Sequence, residues 1–101
     1  MVLGPGQVYR GFIAEANKVK RFVILSISMD KSEAYFLLIN SDLTPFAENN
    51  PHYRRLNLPL PKEGRPYLDH DSYLCCETVH SRNRSLLTNS VRWFDYLGTM
   101  N

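Results

Sequence analysis

Five of the six prolines fall between Leu43 and Pro66, at Pro45, Pro51, Pro59, Pro61 and Pro66. Each lacks a backbone N–H and fixes its own φ, so a continuous helix and a central strand are both disfavoured over this stretch. It is expected to be a long excursion with short edge pieces, of which Leu56-Asn57-Leu58-Pro59-Leu60 alternates like an edge strand. A connection of this length inside a small domain is either functional or conceals an element. The core must therefore come from the sequence on either side. With 101 residues, that core belongs to one domain spanning 1–101.

Before the prolines the pattern is β. Gly4-Pro5-Gly6 marks a turn, and Gln7 to Ile13 alternate as a first strand. Arg21 to Ser28 form a second, rich in β-branched residues and starting on a basic one. Met29 to Glu33 carry Asp30, Lys31 and Ser32, a hairpin turn, and the apolar run Tyr35 to Ile39 suits a strand buried on both faces, ending at Asn40-Ser41-Asp42. After the prolines, Ser72 to Cys76 read as another strand, which Thr78 to His80 extend. Ser81 is placed to cap a helical turn holding Leu86 and Leu87. Asn89 or Ser90 caps a last helix with Val91, Phe94 and Leu97 at helical spacing. The class is mainly β, about five strands followed by a little helix near the C-terminus, which points to a small barrel or twisted sheet.

Composition excludes several functions. Twelve Lys and Arg against ten Asp and Glu give a net +2, too small to announce nucleic acid, so clustering must decide. Pro51 to Pro66 hold Arg54, Arg55, Lys62 and Arg65 against Glu63, a local net of +3, with His52 and Tyr53 interleaved for base stacking. His80 to Arg92 hold Arg82, Arg84 and Arg92 with no acidic residue. Cys75 and Cys76 are adjacent, point to opposite faces of a strand and do not complete a zinc site. A reducing, cytoplasmic setting is the default. The apolar run at 34–39 is far short of the roughly 20 residues a membrane span needs. His70 between Asp69 and Asp71 invites a metal or acid–base reading, but adjacent residues on extended chain diverge, and a turn before a strand accounts for it. Trp93, Phe94 and Tyr96 exceed what one face of a short helix buries, and one side is placed to meet another chain.

The order of these stretches resembles the MazF, Kid and PemK toxins of bacterial toxin–antitoxin systems. Gly6-Gln7-Val8-Tyr9 resembles the family's opening Gly-Asp-hydrophobic strand, and Arg21-Phe22-Val23-Ile24-Leu25-Ser26 its Arg-Pro and apolar strand ending in Ser. Phe36 to Ser41 resembles the strand ending in Thr-Ser. Leu68 to Leu74, continuing through Thr78 to Leu86, is similar to its Leu-x-x-Asp-Ser strand and Thr-x-x-x-x-Arg-Leu turn. The resemblance covers most of residues 6 to 87. It implies a small SH3-like barrel of the CcdB/Kid/MazF type and a homodimer that cleaves single-stranded RNA without metal or cofactor. It also implies inhibition by an antitoxin with an acidic tail.

Carried over, the resemblance makes Arg21 and Ser41 the catalytic pair. Arg21 would clamp the scissile phosphate with a permanently charged fork, and Ser41 would hydrogen-bond it. Arg54, Arg55, Tyr53, His80, Arg82 and Arg84 would contact the RNA. Phe22 stands where the family has Pro, and Asn40-Ser41 where it has Thr-Ser. These departures keep a second reading open, a non-catalytic module of the same shape that binds a protein or nucleic acid.

Overall fold

In a computed structural model, which describes residues 2–100, the chain is a seven-stranded antiparallel sheet with three short helices. β1 (Gln7–Ile13), β2 (Lys18–Ile27) and β3 (Glu33–Asn40) form a meander. Asn17 turns the first hairpin in the left-handed region at φ 52°, where Asn is tolerated. The second hairpin is closed by Ser28 N–H donating to Glu33 O at 2.9 Å, with Lys31 at φ 62°. Asp30 accepts from the Ser32 and Ser28 hydroxyls and the Ser32 amide, and these bonds hold its carboxyl down at about 2.

The proline-rich stretch contains two helices that proline statistics argued against. α1 (Pro45–Asn49) and α2 (Pro51–Arg55) each place proline at the first helical position, where the missing N–H would be unpaired anyway. Each has its own N-cap. Thr44 Oγ1 accepts from Ala47 N–H at 3.1 Å, and Asn50 Oδ1 from His52 N–H at 3.2 Å. β4 (Asn57–Leu60) follows as the edge strand expected there.

β5 (Ser72–Cys75) and β6 (His80–Asn83) are separate strands, not one extended strand. They share the same side of β3: β6 pairs with its first half, from Glu33 to Phe36, and β5 with Ile39 and Asn40. Asn83, not Ser81, caps α3 (Arg84–Val91), accepting from the amides of Ser85 and Leu86. The last element is a strand, β7 (Asp95–Thr99), where helical spacing predicted a helix. Tertiary pairing of β7 with β1 overrides the local pattern.

Both faces of the sheet are covered, which explains why β3 reads as a continuous apolar run. On one face Tyr9, Phe22, Ile24 and Phe36 lie beneath Leu87 and Val91 of α3. Phe22 is fully buried, with ring centroids of Phe36, Tyr9 and Phe94 at 5.1, 5.8 and 5.9 Å. On the other face Val8, Val23, Leu37 and Ile39 lie beneath Leu60, Tyr67 and Leu68, so the β4–β5 connection acts as a lid. The strand path β4-β5-β3-β2-β1-β7 does not close into the barrel expected from sequence, and its ends are not paired to each other among the described residues. β4 is four residues long, carries Pro59 and is followed by Pro61, a composition suited to ending a sheet.

Gly11 is buried in β1, and a Cβ there would lie 2.3 Å from the Phe94 ring. Gly11→Ala is expected to cost about 1–3 kcal/mol by overpacking, lowering the melting temperature by several degrees. Calorimetry of the single variant and of its pair with Phe94→Leu checks this. The second change should recover part of the loss.

Candidate functional site

Arg21 lies near the start of β2, opposite Arg10 on β1 and Ile39 on β3. Two arginines directly across a ladder repel, and each has a carboxylate to offset this. Arg10 pairs with Asp95 at 3.5 Å, and Arg21 Nη2 with Asp69 Oδ2 at 3.2 Å. Arg21 Nε also donates to the Tyr67 carbonyl at 3.1 Å, so one side chain fastens the lid to the sheet. Its Nη1 has no partner among the described residues.

Asp69 holds a second cation-forming group. His70 Nδ1 is 2.5 Å from Asp69 Oδ1, so one carboxylate bridges guanidinium and imidazole. Desolvation pushes the Asp69 carboxyl up, but the Arg21 charge and the His70 hydrogen bond outweigh it, and its pKa lies below the ordinary value. His70 is the residue that sequence reading treated as part of a turn. The two flanking aspartates are plain in the sequence, but the arginine that pairs with Asp69 lies 48 positions before it, and no local pattern reports that contact.

A cavity of about 120 Å³ is lined by Arg21, Ser41, His70 and Ser72, with Lys20 and Ile39 at its wall. Arg21 and Ser41 thus share one hollow, because β2 and β3 are adjacent and Ser41 directly follows β3. The exposed Ser41 hydroxyl makes no hydrogen bond among the described residues. Ser72 is buried and donates to the His70 carbonyl at 3.0 Å, fixing the chain that carries the imidazole. Lys20 donates to Asn40 Oδ1, and burial followed by repulsion from Lys18 lowers its pKa. A second cavity of about 350 Å³ shares Ser41 and Ser72 with the first and continues past Asp42, Asp71 and Tyr73.

The other basic candidates lie elsewhere. His80 and Arg82 flank the opposite face, where Arg82 sits over the Phe36 ring at 5.6 Å and His80 stacks on it at 5.4 Å. Both face Glu15, which takes a two-pronged contact from Arg82 and lies 3.7 Å from His80 Nδ1. The hydrogen bond from Arg82 leads the causes that lower the Glu15 pKa, and the same bond raises that of Arg82. Arg84 Nε donates to the Lys31 carbonyl at 2.6 Å and braces the β2–β3 hairpin. Arg54 and Arg55 are exposed on α2, and Tyr53 packs on Phe46 at 4.8 Å. Among the described residues, no group of three or more His, Cys, Asp or Glu could hold a metal ion.

No protein-family model, curated protein or solved structure matches the chain.

The Arg21–Asp69 contact makes a pH-dependent contribution with a definite sign. A carboxyl whose folded pKa is depressed stabilises fully above its unfolded value of about 3.9, and the contribution is lost as pH falls through the folded value. Following the Asp69 carboxyl carbon by NMR titration should show this low midpoint. In Arg21→Gln the midpoint should move upward, because that charge is gone.

Proposed function

We propose that this chain is a metal-independent endoribonuclease of the MazF/Kid/PemK toxin kind, acting on single-stranded RNA at the Arg21–Ser41 pocket. One observation carries the reading: a guanidinium from β2 and a free hydroxyl at the end of β3 line the same small cavity. RNA cleavage without metal needs little more than its own 2′-hydroxyl, negative-charge stabilisation at phosphorus and proton transfer. Arg21 supplies the charge, with Nη1 directed at a phosphoryl oxygen, and Ser41 donates a second hydrogen bond. The adjoining cavity past Tyr73 gives the strand room to continue and a ring on which a base can stack.

The rest of the reading comes with the resemblance. It comprises an SH3-like relation of the sheet, a cytoplasmic homodimer, and an antitoxin whose acidic tail competes for the basic surface. Support for the fold relation is that Leu60 of β4 and Leu97 of β7, at opposite ends of the strand path, belong to one hydrophobic cluster, as in a curled sheet. Arg54 and Arg55, exposed on α2, would meet RNA backbone in this scheme, whereas His80 and Arg82 are held by Glu15. A non-catalytic binding module is the second reading. The observation favouring it is that Asp69 already occupies one edge of Arg21.

Incubation of the purified protein with a long single-stranded RNA in EDTA separates the two. Fragments ending in 2′,3′-cyclic phosphate are expected, with a rate loss of about 10²–10³-fold in Arg21→Ala. Binding without fragments, or equal cleavage by Arg21→Ala, removes the nuclease reading.

A further inference from the structure

Arg21 does not move the proton, because a guanidinium in a protein stays charged. Ser41 has no base of its own among the described residues. The pocket nevertheless contains one side chain suited to the task. We propose that His70 is the catalytic base of the Arg21–Ser41 pocket and that Asp69 positions it; the inference rests on the phosphodiester reading above and adds the proton-transfer group that reading lacks.

The geometry runs in three steps. His70 Nδ1 lies 2.5 Å from Asp69 Oδ1, an approach that favours a hydrogen on Nδ1 and leaves the Nε2 lone pair for substrate. The same carboxylate binds Arg21 at 3.2 Å, so base and phosphate clamp are fixed to one anchor. The Ser72 hydroxyl fixes the His70 backbone from beneath, and the imidazole stays half exposed and reachable by substrate. The charged groups around it are Asp69 and Asp71 on its own segment and Arg21 and Lys20 from β2.

His70 Nε2 accepts the 2′-hydroxyl proton as O2′ bonds to phosphorus, and Arg21 bears the charge gathered on the phosphoryl oxygens. The P–O5′ bond breaks, and O5′ takes a proton from solvent water. The imidazolium returns its proton to the hydroxide left behind, leaving a 2′,3′-cyclic phosphate and a 5′-hydroxyl.

Two substrates keep this inference separate from the nuclease reading: a long RNA, and uridine 3′-(4-nitrophenyl phosphate), whose leaving group needs no protonation. Cleavage of the activated diester should fall about 10²–10⁴-fold in His70→Ala, partly recover with added imidazole, and stay low in His70→Gln, which can still donate to Asp69. The acid limb of the wild-type pH–rate profile should vanish in both His70 variants. Asp69→Asn should lower kcat more than it raises KM, because the imidazole loses the carboxylate that orients it. Cleavage of the activated diester but not of RNA would keep His70 and remove the RNA assignment. RNA cleavage with a His70→Ala rate within about threefold of wild type, or without imidazole rescue, would overturn the inference and leave that assignment standing. Failure to cleave either substrate would overturn both.

Discussion

The contact on which the site depends is the reach of Arg21 from β2 to the Tyr67 carbonyl and the Asp69 carboxylate. Without it the β4–β5 connection would be a proline-rich loop lying on an apolar face. With it, Tyr67 and Leu68 are pressed onto Val8, Val23, Leu37 and Ile39, and the residues that follow are aimed at the start of β5. The hydrophobic cover and the polar site are therefore one construction. Burial of the two lid residues fixes the backbone, and the guanidinium selects which carboxylate faces the sheet.

Much of the scaffold was legible because it is local. Alternation from Gln7 to Ile13 and the apolar run at 35–39 gave β1 and β3 nearly at their observed limits, and Leu56 to Leu60 gave β4. The misreadings have physical causes of two kinds. Prolines at 45 and 51 looked like helix breakers but are helix starters, since Thr44 and Asn50 precede them as caps. Val91, Phe94 and Leu97 sit at helical spacing, yet β1 offers an open edge, and pairing with it stabilises Asp95–Thr99 as a strand.

The candidate site divides in the same way. Arg21 and Ser41 came only with the family resemblance; the sheet brings them together because Arg21, fourth in β2, lies opposite Ile39, two residues before Ser41. Asp69 and His70 could not be connected to them from sequence, because a contact spanning 48 positions leaves no periodic trace. Charge clustering was the least informative signal. Arg82 and His80 are engaged by Glu15 and Arg84 braces a hairpin, so the +3 counted along residues 80–92 is largely taken up by contacts within the molecule.

The sequence holds a single tryptophan, and Trp93 stands 84% exposed on the turn between α3 and β7, with the Arg92 guanidinium 6.0 Å from its ring. An indole bathed in water emits at long wavelength, and a nearby guanidinium offers no dry shelter. The molecule thus carries an intrinsic optical label whose colour reports on the α3–β7 corner, where anything that settles would shift its emission to the blue.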